Sequence, residues 1–342
     1  MPRAVADGPD GISDRVPPSI EVRDLRKSYG DIEAVRGVSF EVAVGETFGF
    51  LGPNGAGKST TISMLCTLTE PSSGVARVSG HDVVRERLEV RRRIGLVFQD
   101  VTLDEYLTAE ENLRFHADLY GVPKDIVAVR LHQVLEMVGL WDRRSGLVRT
   151  FSGGMKRRLE IARGLLHSPR VLFLDEPTVG LDPQTRAHIW EYIEQLRRRE
   201  AVTIFLTTHY MDEAEHCDRI GIIDGGEIVA MGTPEALKAE VGLDRIELRA
   251  QDQDQVVGAL RDRFGLEPTV IEGAVAIRVA NGAEFVPRLF GELGVPVLSV
   301  SVSRPTLDDV FMTFTGRTIR DAEASTSEVN ATRPWMRAMR SR

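Results

Sequence analysis

The chain has 342 residues, 42% hydrophobic and 27% charged, which is long enough for two globular domains and rules out a wholly disordered polypeptide. Its net charge of −8 gives no global reason to expect nucleic acid as a partner, and its two distant cysteines exclude a disulfide framework and favour a reduced, cytoplasmic setting. No apolar run approaches the roughly 18–20 residues that cross a bilayer, so work at a membrane would be done from its surface.

The first segments are a polar lead-in followed by short strands. Residues 1–18 mix Asp, Gly and Pro and are expected to be disordered. Alternating apolar residues predict strands at 20–23 and 38–42, each with one exposed face. A third strand at 46–51 leads directly into a glycine-rich loop, after which a helix is predicted to begin at Lys58.

That loop fits the phosphate-binding pattern G-x-x-x-x-G-K-[ST]. Its residues are Gly52, Pro53, Asn54, Gly55, Ala56, Gly57, Lys58, Ser59 and Thr60. The glycines let successive backbone N–H groups point at phosphate oxygens, and the helix N-terminus adds partial positive charge. Lys58 would reach the β- and γ-phosphates and the Ser59 hydroxyl would ligate Mg²⁺. The alternative is a glycine-rich turn that contains Lys-Ser by chance, which the flanking strand and helix disfavour.

The middle of the chain alternates helix and strand. Helical periodicity covers about 108–147, and the continuous apolar run at 171–174 predicts a central parallel strand covered on both faces. A helix at 183–199 and a strand at 202–207 complete a β-α-β crossover. These elements predict an α/β fold of the P-loop NTPase class, and its nucleotide-binding unit closes near 231–234 with a helix to about 241.

A second unit follows from 245 to about 303. Its predicted strands are at 245–249, 269–271, 275–279 and 297–302, and its predicted helices at 255–264 and 284–293. This β-α-β-β-α-β order indicates a small ferredoxin-like α+β domain.

Two further motifs carry chemistry. The strand at 171–174 ends in Asp175 and Glu176, which suits Mg²⁺ held by Asp175 and a proton accepted by Glu176 from the attacking water; solvated acids at a strand end are the alternative. Ser152-Gly153-Gly154 precedes an amphipathic helix, so Ser152 would cap it and its exposed amides would make a second anion site. A plain N-cap explains Ser152 but neither the two glycines nor the 94-residue separation from Lys58.

Over about residues 19–237 the chain resembles the ATP-binding subunits of ABC transporters, because the motifs occur in that family's order. The matching residues are Tyr29 (stacking on adenine), Gly52–Thr60 (Walker A), Gln99 (Q-loop), Ser152-Gly153-Gly154 (signature), Asp175-Glu176 (Walker B), Gly180-Leu181-Asp182 (D-loop) and His209 (switch histidine). The resemblance implies ATP and Mg²⁺ as ligands. It implies catalytic roles for Glu176, His209, Lys58 and Gln99, and metal ligation by Ser59, Gln99 and Asp175. It also implies ATP contacts from Tyr29, the Walker A loop, Gln99, the signature and Asp182.

The same resemblance divides the chain. It implies an ABC ATPase domain at 19–240, with an antiparallel β subdomain and a helical subdomain at about 100–165. A C-terminal accessory domain at 245–316 and a flexible basic tail at 317–342 follow. Within that tail, residues 333–342 combine Arg with apolar side chains, so contact with anionic lipid or a permease is one hypothesis and a frayed terminus the other.

Three stretches are similar to the daunorubicin-resistance branch of this family, namely 99–113, 305–311 and 315–317; Met155 also fits that branch, although many other members have Gln there. The resemblance implies a bacterial ATPase on the cytoplasmic face of the membrane. It would power drug or antibiotic export through a separate permease of the ABC-2 type. One chain carries one Walker A loop and one signature, so two copies can form two composite sites, which favours a homodimer.

Other functions within the fold stay open. The exported molecule could be a lipid, a polysaccharide or an ion. A soluble ATPase acting on DNA is disfavoured because the 94 residues between Lys58 and Ser152 leave no room for a coiled-coil insertion, and one acting on the ribosome because the chain holds a single cassette. Intact Glu176 and His209 disfavour a non-hydrolysing regulatory cassette.

Overall fold

The computed structural model describes residues 17–271 and 274–316. Its strands are β1 (Ile20–Tyr29), β2 (Ile32–Val42), β3 (Thr47–Leu51), β4 (Ser73–Val78), β5 (His81–Asp82), β6 (Ile94–Val97), β7 (Val171–Asp175), β8 (Thr203–Thr208), β9 (Arg219–Asp224), β10 (Glu227–Gly232), β11 (Asp244–Arg249), β12 (Thr269–Ile271), β13 (Ala274–Val279) and β14 (Ser299–Ser303). Its α-helices are α1 (Lys58–Leu65), α2 (Arg87–Arg93), α3 (Ala109–Leu119), α4 (Lys124–Met137), α5 (Gly153–Leu165), α6 (Pro183–Glu200), α7 (Met211–Ala214), α8 (Pro234–Val241), α9 (Gln253–Phe264), α10 (Gly282–Glu292) and α11 (Leu307–Thr315). Short 3-10 helices lie at Trp141–Arg143 and Val148–Thr150.

A six-stranded sheet in the order β10-β9-β3-β8-β7-β6 forms the centre of the nucleotide-binding unit. Its pairs are parallel except β10 with β9. Strands β3 and β8 are buried along their whole length, as expected for central strands covered on both faces. Because parallel strands end at the same edge, the loops after β3, β7 and β8 meet there, which brings the predicted site residues together.

Two hydrophobic cores lie on opposite faces of this sheet. On one face, the antiparallel sheet β2-β1-β4-β5 packs through Phe40 of β2 against Phe48, Phe50 and Phe205 of the six-stranded sheet, and the ring centroids of these four residues lie 5.4–6.2 Å apart. The other face is continuous with the apolar interior of helices α3, α4 and α5. The predicted antiparallel and helical parts of an ABC ATPase are both present.

The helical part begins with a well-capped helix. Thr108 accepts a hydrogen bond from the Glu111 backbone, and the Glu111 carboxylate accepts one from the Thr108 N–H in return, a reciprocal capping box that satisfies the first turn of α3. Asn112 is buried and joins α3 to the preceding loop by donating to Asp104 O at 2.9 Å. These bonds fix α3 against the segment that follows Gln99.

The C-terminal unit has the predicted β-α-β-β-α-β order. Its sheet runs β12-β13-β11-β14 with every pair antiparallel, and α9 and α10 cover one face. Alternation along β11 turns Ile246 and Leu248 towards the helices and leaves Arg245, Glu247 and Arg249 on the opposite face.

Helix α11 packs away from this small sheet. Its buried residues Leu307, Val310 and Phe311 join the core of the nucleotide-binding unit, next to Leu237 of α8. The last described helix therefore returns to the ATPase part of the chain, although the prediction groups residues 245–316 as one accessory unit.

Residues 1–16 and the tail at 317–342, with its basic end at 333–342, lie outside the described residues. Among the helices that are described, none is long and apolar enough to cross a membrane.

Candidate active site

The phosphate-binding loop joins β3 to α1 in a conformation that needs its glycines. Gly55 and Gly57 have φ of +83° and +107°, in the left-handed region that favours glycine. A Cβ on Gly57 would lie 2.6 Å from Ala34 O, and one on Gly52 would lie 2.2 Å from Ile223 O. The backbone thus passes where side chains cannot, and this shape suits a loop whose N–H groups cradle phosphates.

Lys58 is buried at the first turn of α1, with 4% of its surface exposed. Its ammonium donates to Gly52 O at 2.6 Å and to Pro53 O at 3.1 Å, so it lies under the loop that it follows. Nζ also lies 3.3 Å from Glu176 Oε1. The lysine therefore links the phosphate loop to the acid after β7.

Asp175 ends β7 beside the start of α1. The Ser59 hydroxyl donates to Asp175 Oδ1 at 3.2 Å, and the Thr207 hydroxyl of β8 donates to the same oxygen at 2.5 Å. Burial raises the pKa of Asp175, and the two hydroxyls oppose that shift. A serine hydroxyl and a carboxylate at this separation fit Mg²⁺, which is held in proteins by one or two carboxylates together with substrate phosphates. Within residues 17–271 and 274–316 no three His, Cys, Asp or Glu side chains form a metal cluster, and this type of site needs none.

Glu176 is the most connected residue of the site. Its φ is +47°, a conformation that is uncommon for a residue with a side chain, and its N–H is held by the backbone O and hydroxyl of Thr207. The carboxylate meets Lys58, the Gln99 amide (Nε2–Oε2 3.3 Å) and His209 (Nδ1–Oε1 3.4 Å). Burial disfavours its charge, but His209 and Lys58 together outweigh burial and lower the pKa of Glu176.

His209 follows β8 and is partly exposed. Its ring packs against Tyr210 with centroids 4.1 Å apart, and its buried Nδ1 lacks a hydrogen bond of normal geometry, although it faces Glu176. The predicted residues Lys58, Ser59, Gln99, Asp175, Glu176 and His209 are thus brought together at one edge of the sheet.

The predicted signature occupies a different place. Ser152 caps α5 by accepting from the Met155 N–H at 3.3 Å, as predicted. Gly153 lies against Leu181 and Gly154 lies against Thr185. A cleft of about 270 Å³ opens beside Ser152. Because Ser152 and Gly153 are exposed, their polar groups are accessible to another molecule.

Two predicted ATP contacts lie at the surface. Asp182 caps α6 through Thr185, whose side chain and N–H donate to it at 2.6 and 2.9 Å; these hydrogen bonds lower the pKa of Asp182. Tyr29 ends β1 with 51% of its surface exposed, and Lys27 Nζ lies 5.0 Å from its ring centroid.

Three residues near the site were not predicted. Thr207 holds Asp175 and the Glu176 backbone, Glu213 lies buried under Thr208, and Arg157 of α5 donates to the carbonyls of Asp175 and Glu176, both at 3.2 Å. Arg157 stands three residues after the signature glycines, which was the only signal in the sequence for its position.

The fold and this set of residues define a P-loop ATPase of the ABC type. A family model described as "ABC transporter" matches residues 35–179, and one described as "ATP-binding protein DrrA1-3-like, C-terminal domain" matches 232–315. The chain belongs to the family of ABC transporter ATP-binding proteins, which bind and hydrolyse ATP, form dimers and work with membrane permeases.

Several curated relatives match almost end to end. The linearmycin resistance ATP-binding protein LnrL of Bacillus subtilis is 41% identical over 88% of this chain and 100% of its own length. The daunorubicin resistance ATP-binding protein DrrA3 of Streptomyces coeruleorubidus is 42% identical over 90% of this chain and 99% of its length. A Nod factor export ATP-binding protein I of Cupriavidus pinatubonensis is 39% identical over 88% of this chain and 92% of its length.

Solved structures agree on the fold. The cbiO1 subunit of the Clostridium perfringens ABC transporter complex cbiONQ superposes with a TM-score of 0.62 at 27% identity, covering 73% of this chain and 97% of that one. A dimeric post-hydrolysis state of the ATP-binding cassette MJ0796, bound to ADP and Pi, gives 0.57 at 27% identity, covering 63% and 98%.

Proposed function

We propose that two copies of this chain hydrolyse ATP on the cytoplasmic face of a bacterial membrane and drive export of a drug or antibiotic through a separate ABC-2 type permease. The single observation that carries the catalytic part is the convergence of Lys58, Gln99 and His209 on the Glu176 carboxylate. The end-to-end similarity to linearmycin and daunorubicin resistance proteins supports the transport part.

The residues around the loop would hold the nucleotide. Backbone N–H groups of residues 52–60 and the Lys58 ammonium are suited to the phosphates, and Tyr29 is suited to stack on adenine. Ser59, Asp175 and Gln99 would hold Mg²⁺, which when bound neutralises charge developing on the phosphate oxygens. Lys58 would then exchange its contacts with Gly52 O and Glu176 for phosphate oxygens.

Glu176 would act as general base. Its lowered pKa keeps the carboxylate ionised at neutral pH, so it can accept a proton from water placed between it and the γ-phosphate. Gln99 would orient the water from one side, and His209 would donate a hydrogen bond to the γ-phosphate from the other. Thr207 supports both acids, because its hydroxyl donates to Asp175 Oδ1 and its backbone O and hydroxyl accept from the Glu176 N–H.

The signature would complete the site of a second copy. Ser152 and the amides that follow it are exposed at a helix N-terminus, a geometry that suits the γ-phosphate held by the partner's Walker A loop. Asp182, at the neighbouring helix start, would contact the ATP held at this interface. An isologous dimer then contains two equivalent sites, and closing it requires ATP at the interface.

The permease would contact the surface around the Q-loop and α3. Large apolar side chains are exposed there, namely Phe98, Val101, Tyr106, Phe115 and Leu119, with Tyr106 80% exposed. Phe115 and Leu119 stand one turn apart on α3 and share a face. Exposed apolar residues in one lobe suit a protein partner better than solvent.

The names of the relatives point to different compounds. Resistance proteins favour a drug or antibiotic, whereas the Nod factor export relatives at 39–41% identity favour a different exported molecule, so these relatives support export in common but not one cargo.

The test is transport in inside-out vesicles that contain this chain together with a co-expressed ABC-2 type permease. We expect ATP-dependent uptake of a linearmycin- or anthracycline-type drug, and loss of uptake with Glu176→Gln. Uptake without ATP, or equal uptake by the Glu176→Gln form, would contradict the proposal. Drug-stimulated hydrolysis without drug transport would contradict the drug as the exported molecule and favour another cargo.

A further inference from the structure

A wholly buried acid lies on the signature helix, eight residues after Ser152. Glu160 has no exposed surface, and its Oε1 accepts from the Thr102 N–H at 2.7 Å and from the Thr102 hydroxyl at 2.9 Å. Thr102 stands three residues after Gln99 in the segment that we call the Q-loop, residues 99–104. Helix α5 therefore binds the Q-loop through a charged acceptor.

One turn earlier on α5, Arg157 binds the other side of the active site. It is 4% exposed and donates to four backbone carbonyls around the site. These acceptors are Phe98 O, Pro177 O at 2.5 Å, and Asp175 O and Glu176 O at 3.2 Å each. One guanidinium thus joins the residue before Gln99 to the backbone of both site acids.

The two charges face each other. Arg157 Nη1 lies 3.5 Å from Glu160 Oε2, and Arg163 Nη2 lies 3.3 Å from Glu160 Oε1. Arg163 also donates to the Thr102 hydroxyl at 2.6 Å and to Thr102 O at 3.2 Å. Arg157 and Glu160 are buried, whereas Thr102 lies at the surface. Each arginine donates to more than one acceptor, so the network ties α5 to the Q-loop and to the backbone of both site acids.

We propose that Arg157 and Glu160 are positioning residues for hydrolysis, through which the signature helix sets where Gln99 and Glu176 stand relative to each other. The inference rests on the proposed function, since it concerns the residues assigned there to the water. Neither residue touches the nucleotide. They act through Thr102 and through the backbone of residues 98 and 175–177.

The arrangement has a mechanical consequence. Ser152 caps the same helix that carries Arg157 and Glu160, so a shift of α5 when the signature meets the partner's nucleotide displaces the Q-loop and the Glu176 backbone together. A misplacement of about 1 Å at reacting groups can cost on the order of a hundredfold in rate, so a rigid link of this kind affects turnover more than nucleotide affinity. A purely structural ion pair would instead affect stability alone.

Thr102 provides the test, because it is exposed as a residue and its replacement leaves the buried charges paired. Thr102→Val removes the hydroxyl that bonds Glu160 and Arg163, whereas Thr102→Ser keeps it and serves as the matched control. The full chain is assayed for kcat and KM with MgATP, for its thermal midpoint, and for backbone hydrogen exchange over residues 98–104 and 171–175.

We expect Thr102→Val to lower kcat by about fivefold or more with KM within about twofold, because an interaction that acts on the transition state is lost. Exchange should rise in the Q-loop and stay unchanged in β7, and Thr102→Ser should behave as the unmodified chain. Glu160→Gln should lower kcat at least as far, since it keeps the side-chain volume but removes the charge between two arginines.

Equal kcat for the Val and Ser forms with equal Q-loop exchange would overturn the positioning role. So would a fall in thermal midpoint with kcat and KM both unchanged, the pattern of a purely structural contact. The hydrogen-exchange comparison requires no turnover, so it tests the contact between α5 and the Q-loop even in a chain that does not hydrolyse ATP. Failure of hydrolysis in the unmodified chain would count against the proposed function instead.

Discussion

Two regions of this molecule meet ATP in the proposed cycle, and they are built in opposite ways. Around Glu176, charged side chains are buried and bonded to one another, with Lys58 and Glu176 only 4% and 5% exposed. Around Ser152, a helix begins at the surface, its glycines are exposed or half-exposed, and its nearest neighbours are the start of α6 and the loop before it. The first region can align its groups within one chain, whereas the second presents groups whose ligand must come from outside.

This difference predicts which property a substitution in each region should change. Changes at Glu176 should alter the chemistry of hydrolysis and leave nucleotide binding intact. Changes at the signature should leave the single chain intact and alter its association with a second copy.

The largest effect is expected for Glu176→Gln. The substitution keeps the contacts with Gln99 and His209 sterically possible but removes the proton acceptor, so turnover should fall roughly a hundredfold or more while ATP still binds. Phosphate release and equilibrium nucleotide binding measure the two quantities. Glu215→Gln, an acid-to-amide change at a half-exposed partner of Lys238, is the matched control and should hydrolyse normally. Near-normal turnover by the Glu176→Gln form would remove Glu176 from the role of base.

The second-largest effect is expected for a substitution in the signature region around Ser152. Ser152→Arg places a long cation where the partner's nucleotide would approach, so the ATP-dependent dimer should be lost while the single chain still binds ATP. Light scattering with ATP in the Glu176→Gln background, where hydrolysis is slow, measures this. Thr233→Arg is the control, because Thr233 also caps a helix (α8) by accepting from an N–H, at 3.0 Å. An ATP-dependent dimer of the Ser152→Arg form would contradict the composite site.

The site residues that could be predicted from the sequence differ from those that could not in how local their contacts are. The phosphate loop, the acid pair after β7 and the cap at Ser152 depend on neighbouring residues, so their spacing alone predicts their structure. Thr207 and Arg157 act through contacts between distant segments, and a threonine in a strand or an arginine in a helix carries no local sign of such a partner. The close approach of α11 to α8 is non-local in the same way.

Two further differences between the predicted and the observed strands lie at β1 and at the β9–β10 hairpin. Strand β1 runs to Tyr29, whereas alternation predicts its end at residue 23, because Asp24 adopts φ +45° and the pairing with β2 shifts after Val22. The β9–β10 hairpin was not predicted, although Gly225-Gly226 between the largely apolar segments 220–223 and 228–231 was its signal.

The third prediction tests how closely the signature is packed. A Cβ on Gly154 would lie 2.4 Å from Thr185 Cγ2, and Thr185 cannot easily turn because its hydroxyl donates to Asp182. Gly154→Ala should therefore cost about 1–3 kcal/mol of unfolding free energy, the usual range for overpacking. Gly153→Ala is the matched control, since its Cβ would meet Leu181 Cδ2 at an ordinary 3.7 Å. Thr185→Ser removes the clashing methyl and keeps the hydroxyl, so it should restore the stability of the Gly154→Ala form; failure of that rescue in denaturant titrations would place the cost elsewhere.

The last effect concerns the cost of burying charge beside the catalytic cluster, and it appears only when the pH is changed. Glu213 is 1% exposed and accepts hydrogen bonds from Thr178 and Thr208; burial raises its pKa above the ordinary 4.5, with the Thr208 bond opposing. The folded protein then keeps this proton to higher pH than the unfolded chain, so the contribution of Glu213 to stability is greatest below pH 4.5 and is lost as pH rises above it.

Glu213→Gln cannot ionise, and relative to the unmodified chain it should gain stability between pH 5 and pH 7.5, by at most about 1.4 kcal/mol for each pH unit in the window. Denaturant titrations at both pH values measure this, with Glu215→Gln, an acid-to-amide change at a half-exposed site, as the control. A relative stability of Glu213→Gln that stays constant or falls with pH would mean that the cluster holds this carboxylate at no cost, and the contrast between a buried, charged region and an open one would then lie in geometry alone.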